Sequence, residues 1–204
     1  MKEATVSPES RDPDLPLLEA FRRGEAGAFD DLVRRHEGRV HRLAFRMLGD
    51  ADAALDASQE AFVRAWKALP RFQGASRFST WITRIVINQC RNELRRRRTV
   101  KHTQPLSLDA PSSDSETTIG AGVAAPGAEP WEAVRAREVA RALESCLQDL
   151  DEESREVLVL RDAEDLSYEE VAEILEVPVG TLRSRLHRAR SDLRRRMGAV
   201  LEDR

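Results

Sequence analysis

No run of apolar residues in this 204-residue sequence is longer than a few positions, far short of the roughly 20 that a membrane-spanning helix requires. The opening residues, MKEATVSPESRDPD, hold no apolar core segment and do not read as a secretory signal. Cysteine is scarce. Cys90 and Cys146 lie far apart, each at an apolar position of a helical pattern, so buried free thiols are expected and a disulfide or metal site is not. A cytoplasmic location is the resulting expectation. No stretch alternates polar and apolar residues as a strand does. No nucleophile–base set, metal cluster or phosphate loop points to an enzyme or a bound cofactor.

What the sequence has in quantity is charge, 34% of residues, and that charge is segregated. Arg71 to Lys101 holds nine basic residues against one acid, Glu93. Pro178 to Arg196 holds seven arginines against Asp192. Between them, Asp149 to Glu176 holds twelve acids and two arginines. Two basic segments in a chain of net charge −3 resemble two footprints on one polyanion, although chance clustering on long helices gives the same pattern.

Periodicity is helical nearly everywhere, so the expected class is all-α. Residues 15–48 read as two helices punctuated at Gly24 and Gly27. Leu55, Gln59, Phe62, Val63 and Trp66 follow an i, i+4, i+7, i+8, i+11 course, which predicts a helix over 51–69 with that stripe inward. The loop PRFQGASRFS leads to a helix starting at Trp81. Residues 101–130 are rich in Pro, Gly, Ser, Thr and Ala and have little capacity to bury surface, as a flexible linker. Periodicity resumes at Trp131. The expected organisation is a disordered tail (1–14) and two small helical domains (15–100 and 131–204) joined by that linker.

The most specific segment is LSYEEVAEILEVPVGTLRSRLHRARSDLRRRM, residues 166–197. Ser167 and Glu170 form a capping box that starts one helix. Pro178 permits a turn or a first helical position, so a second helix begins near Val179. There Leu182, Leu186, Ala189 and Leu193 form a narrow inward stripe, while Thr181, Arg183, Ser184, His187 and Arg188 lie outward. That is a helix-turn-helix whose second helix offers short polar and arginine side chains to base edges, with Arg190 and Arg194 to Arg196 placed for phosphate. A helical hairpin with a solvated basic face is the plainer reading. Glu176 stands where a helix C-terminus prefers glycine, which predicts a strained turn.

Winding WITRIVINQCRNELRRRR, residues 81–98, puts Ile82, Val86, Ile87, Cys90 and Leu94 on one side. Trp81, Arg84, Asn88, Arg91 and Arg95 line the other, with Asn92 beside them. Arginine and tryptophan offer charge and stacking, asparagine offers hydrogen bonds, and the preceding loop adds Phe72, Gln73, Ser76, Arg77 and Phe78. This mixture suits unstacked bases better than an intact duplex. Phe72 and Phe78 serve equally as core plugs, the favoured reading for Phe78. Arg95 to Arg98 are placed to grip phosphate.

Together, DASQEAFVRAWKALPRFQGASRFSTWITRIVINQCRNELRRRR and DEESREVLVLRDAEDLSYEEVAEILEVPVGTLRSRLHRARSDLRRRM resemble region 2 and region 4 of the extracytoplasmic-function (group IV) sigma factors of bacterial RNA polymerase, within the sigma-70 family. The likeness covers about residues 15–100 and 131–200, and region 3 of larger relatives is absent. It implies that Asp56, Gln59 and Glu60 dock on the β′ coiled coil of core polymerase, with Phe62 and Trp66 assigned to the core. It implies that Phe72, Gln73, Ser76, Trp81, Arg84, Asn88 and Arg91 meet the −10 element as separated strand. Thr181, Arg183, Ser184, His187 and Arg188 would read the −35 element as duplex. Core polymerase, through its β′ coiled coil and β flap, and promoter DNA are the implied partners, with an anti-sigma factor as a further candidate. Departures are Asp151 after Leu150 where proline is common, Glu176 where glycine is common, and Asp162–Ala163 where aromatics are usual. A stand-alone helix-turn-helix regulator is the competing reading, but it needs a ligand or receiver domain in the N-terminal half.

Overall fold

Helical periodicity becomes eight α-helices in the computed structural model, which describes residues 12–103 and 130–202; no strand occurs among them. The first half contains α1 (Leu15–Arg22), α2 (Ala28–Leu48), α3 (Ala51–Ala68) and α4 (Phe78–Thr103). The second contains α5 (Pro130–Gln148), α6 (Glu152–Leu158), α7 (Tyr168–Leu175) and α8 (Val179–Glu202). A 3₁₀ turn at Leu69–Arg71 follows α3, and one π-helical turn at Val159–Ala163 continues α6. The linker expected at 101–130 lies largely outside the described residues, and α4 runs through its first three positions.

The N-terminal half is a bundle in which α2 packs on α1, α3 and α4. Its starts and stops follow local chemistry. Gly49 ends α2 at φ 67, a left-handed conformation that glycine adopts without a Cβ penalty. Asp50 then caps α3 by accepting from the Ala53 N–H at 2.7 Å.

Two sequence expectations change here. The tail expected over 1–14 lies outside the described residues up to position 11, and Asp14 is fully buried, accepting from Arg35 at 2.7 Å and His36 at 2.8 Å. Asp12 accepts the Phe78 N–H at 2.6 Å and so caps α4 from far away in sequence. That cap, with a fully buried Phe78, is why α4 starts three residues earlier than Trp81. The second correction concerns α3. Its inward face is Ala54, Ala57, Ser58, Ala61 and Ala65, while Leu55, Val63 and Trp66 are about half exposed. The small residues let α3 lie close to α2 and α4, and the large apolar stripe is displaced to solvent.

In the second half, Asp151 caps α6 by accepting from the Ser154 N–H at 2.9 Å. The Ser167–Glu170 capping box forms as the sequence indicates, and α7 ends on Glu176 at φ 58, the left-handed conformation glycine would relieve. Leu182, Leu186 and Ala189 are buried between α8 and its neighbours, with Leu193 packed beside them. Cys90 and Cys146 are buried free thiols, and burial pushes the Cys90 thiol up to about 12.

The halves lie against each other, and their buried apolar residues form one continuous cluster. α2 packs against both α5 and α6. Gln148 of α5 donates to the Arg46 carbonyl at 2.8 Å and lies so close to Gly49 that a Cβ there would come within 2.6 Å of it.

Candidate nucleic-acid interface

The loop before α4 is fixed from beneath. The turn at Leu69–Arg71 folds the chain back, and Arg22 donates to the Phe72 carbonyl at 2.8 Å. Phe72 is thereby buried, its ring centroid 4.8 Å from that of Trp81. Though mostly buried, Phe72 still lines the recess beside Trp81. Trp81 is half-buried on Phe72 and Phe78. Gln73 is exposed and Ser76 half-buried. With Trp81, Thr80 and Arg84 they line a recess of about 270 Å³, whose far wall is Glu173 and Ile174 of α7.

Along α4, Trp81, Arg84, Asn88 and Arg91 share one face at i, i+3, i+7 and i+10 spacing. Asn88 is exposed. The two arginines are engaged. Arg91 makes a paired contact with Glu156 of α6, Nε to Oε1 at 2.6 Å and Nη2 to Oε2 at 2.8 Å. Arg84 lies 3.1 Å from Glu176 and 3.6 Å from Glu173. Beyond them Arg98 reaches Glu152 at 2.6 Å, while Arg96 and Arg97 fold back on Glu93. Thr80 donates to Glu170 at 2.8 Å. The basic face, whose own sequence supplies only Glu93, receives further glutamates from the other half.

On α8, Ser184, His187 and Arg188 are exposed and Thr181 is half-buried. Ser184 donates to the Thr181 carbonyl at 2.8 Å, which holds its hydroxyl close to the helix. Arg183 lies over the Tyr168 ring at 5.6 Å, a cation–π contact that steers it along the groove side of α7 and α8. Arg190 is held by Asp162 at 2.5 Å and 2.9 Å, and Arg185 by Glu153 at 3.2 Å. Asp162, an unusual residue at that place, thus has a local partner. His187 and Arg188 are thus exposed beside Ser184 on the outward face of α8.

A third surface was only partly readable from sequence. Asp56 and Gln59 are exposed and Glu60 half-buried, paired to Arg64 at 2.8 Å. Leu55, Val63 and Trp66 stand among them on the same outward face of α3. The signal that identifies them is the run of small residues at positions 54, 57, 58, 61 and 65, a complete helical stripe by itself.

The comparisons with known proteins match the two halves of the chain in order. The Sigma-70 region 2 family profile matches residues 32–100, and that for Sigma-70, region 4 matches residues 140–193. The chain is 34% identical over 194 residues to the RNA polymerase sigma-H factor of Pseudomonas aeruginosa, covering 95% of this chain and 98% of that one. It is 33% identical to the ECF RNA polymerase sigma factor SigW of Bacillus subtilis, covering 88% and 94%, and 34% identical to the ECF RNA polymerase sigma-E factor of Escherichia coli, covering 87% and 90%. Among solved structures, CnrH in complex with the cytosolic domain of CnrY is similar at TM-score 0.61 and 27% identity, covering 93% and 97%. The sigma factor RpoE in complex with the anti-sigma factor NepR from Bartonella quintana shares the fold at TM-score 0.65 and 22% identity, covering 85% and 98%.

Proposed function

The chain belongs to the sigma-70 family of RNA polymerase sigma factors, in its extracytoplasmic-function group, and on that premise we propose how its surfaces divide the work of initiation. Its function is to confer promoter recognition on RNA polymerase and assist DNA melting, a role of binding and not of catalysis. Ser184, His187 and Arg188 of α8, with Thr181 and Arg183 at its start, read the −35 element as duplex. Gln73, Ser76, Trp81, Arg84, Asn88 and Arg91 take the −10 element as separated strand. The observation that supports this division is the recess of about 270 Å³ lined by Phe72, Gln73, Ser76, Trp81 and Arg84, a volume that suits a base out of its stack.

Holding two readers on one chain raises the local concentration of the second once the first has bound. Capturing an extruded base offsets part of an unstacking cost of about a few kcal/mol, which makes sequence preference and strand opening one event. The outward face of α3 docks on core polymerase through its β′ coiled coil, with Leu55, Val63 and Trp66 adding apolar area to the polar contacts of Asp56, Gln59 and Glu60. The second half meets the β flap. The solved relatives held by CnrY and NepR make an anti-sigma factor the natural further partner. No helix among the described residues is long and apolar enough to cross a membrane, and the place of work is the cytoplasm, with the polymerase.

Run-off transcription with purified core polymerase on genomic fragments tests this reading. Initiation that depends on the added chain supports it. Tight duplex binding by the chain alone, with no initiation on any fragment, would favour the stand-alone regulator.

A further inference from the structure

The loop from Phe72 to Phe78 carries Gln73 and Ser76, two of the side chains assigned to the −10 strand, yet it supplies little of its own support. Gln73, Gly74 and Ala75 are exposed, and no hydrogen bond among the described residues restrains them. Nor does the loop cap the helix it leads into. Arg77, the residue before α4, has only donors on its side chain, and the Ser76 hydroxyl turns to the Arg77 carbonyl at 3.4 Å.

The two ends of the loop are held instead by residues that precede α2. At one end Arg22, in the last turn of α1, donates to the Phe72 carbonyl at 2.8 Å. At the other, the Asp12 carboxylate accepts the Phe78 N–H at 2.6 Å. The second oxygen of that carboxylate accepts the Asp14 N–H at 3.0 Å, so one group fixes both its own segment and the start of α4. The segment is in turn fastened to α2, because buried Asp14 takes Arg35 on one oxygen and His36 on the other. The His36 ring centroid lies 5.2 Å from that of Phe78, and Phe78 lies 5.7 Å from Trp81. Phe78 is thus gripped at its amide through Asp12 and at its ring through His36, and both paths lead back to residues 12–14.

We propose that Asp12 and Arg22 are positioning residues for −10 capture: from outside the DNA-facing elements they clamp the two ends of this loop, and the clamp sets how sharply Gln73, Ser76 and Trp81 discriminate among bases. The inference rests on the reading of the loop and α4 as the −10 site. Any serine, threonine, asparagine or aspartate just ahead of a helix can cap it. A cap brought from sixty-six positions away does more, since it ties the exit of the loop to the same short stretch of chain that ties its entrance. Recognition side chains held about 1 Å too loosely lose the geometry of their hydrogen bonds, and with it their preference for one base.

The test uses the full chain with core polymerase and a promoter fragment on which the parent initiates, each −10 and −35 base being substituted in turn. The readout is the ratio of run-off product from the original base to that from its substitute. Asp12→Ala and Arg22→Ala are each expected to shrink the −10 ratios on the order of tenfold, near the low end of what one mismatched base costs, and to leave the −35 ratios unchanged. Asp12→Ala also removes a cap, so a second variant separates position from stability. Arg77→Ser added to Asp12→Ala supplies a local cap. The melting temperature should then recover while the −10 ratios stay flattened, with Arg77→Ser alone as the control. Recovery of both together, or a loss in equal proportion at every −10 and −35 base, overturns the positioning role. Asn88→Ala distinguishes failure of the clamp from failure of the −10 assignment. If it alters the −10 ratios and the Asp12 and Arg22 variants do not, the clamp alone is overturned. If none of the three alters them, the −10 site lies elsewhere and the clamp falls with it.

Discussion

Arg155, in the first turn of α6, donates to the Met47 carbonyl in the last turn of α2 at 2.7 Å. The same guanidinium donates to the carbonyls of Leu147, Gln148 and Leu150 at 2.9, 2.6 and 3.0 Å. One buried cation thus closes the C-terminal ends of two helices from different halves, where orphan carbonyls and the negative end of the helix dipole favour positive charge.

Arg155→Ala should destabilise the chain, by about 1–3 kcal/mol for each interior carbonyl left unpaired. For a chain of this size that lowers Tm by about 2–4 °C per kcal/mol. Arg155→Lys should rescue little of it, because three donors on one nitrogen cannot span four carbonyls in a fork. Thermal denaturation followed by circular dichroism checks this; an alanine variant with parental Tm would refute the double cap.

Gly49→Ala combines a left-handed φ with a collision against the Gln148 side chain. The backbone part costs about 1 kcal/mol. The collision part disappears in the double variant Gly49→Ala, Gln148→Ala, so the two substitutions should be non-additive by about 0.5 kcal/mol or more. A double-mutant cycle in urea measures it, and strict additivity would separate Gly49 from Gln148.

On the outward face of α3, Trp66→Glu and Val63→Glu should leave stability within about 0.5 kcal/mol of the parent, since both side chains are half exposed. Both should weaken capture of core polymerase. A fluorescence titration with purified core enzyme is the measurement, and unchanged affinity would remove these residues from the docking surface.

The two DNA readers should fail differently. Asn88→Ala should change the ranking among −10 variants, and Arg188→Ala should act through the −35, each by about 1–3 kcal/mol at the affected base. Equal losses on every promoter would contradict the division between α4 and α8.

Acid should loosen the fold. Hydrogen bonding from Arg96 and Arg97 holds the Glu93 carboxyl below the usual glutamate range. Burial works to raise Glu170, yet bonds from the Ser167 backbone, Thr80 and the Ser167 hydroxyl outweigh it and leave that carboxyl lowered too. A lowered folded-state pKa gives stability that is present above the ordinary carboxylate value and is lost as pH falls through the lowered one. Melting temperature should therefore decline between about pH 5 and pH 3, with a smaller decline in Glu170→Gln. A flat profile over that window would show that neither carboxylate is linked to folding.

Helix starts and stops were legible wherever a local signal carries them: Gly24 and Gly27, the Ser167–Glu170 box, Pro178, and even the strain at Glu176. The face of α3 was misread because large apolar residues were given priority over a longer stripe of alanine, and size is the wrong criterion where helices approach closely. The position of Phe72 depends on Arg22, fifty positions away, which donates to its carbonyl. The pairing of Arg91 with Glu156 and the Asp12 cap on α4 have no local signature, since both depend on segments that meet only once the chain has folded. Charge segregation signalled that the acids and the arginines had complementary roles. It could not say which guanidinium meets which carboxylate.

The alanine seam on α3 has an evolutionary side. Ala54, Ala57, Ala61 and Ala65 set how closely three helices stack, so they answer to packing alone. Leu55, Val63 and Trp66 keep about half of their surface toward solvent. Substitutions at those three positions can reshape the outer surface, while the stack that positions α4 keeps its spacing. One helix thus separates two selective pressures onto opposite sides of a single cylinder.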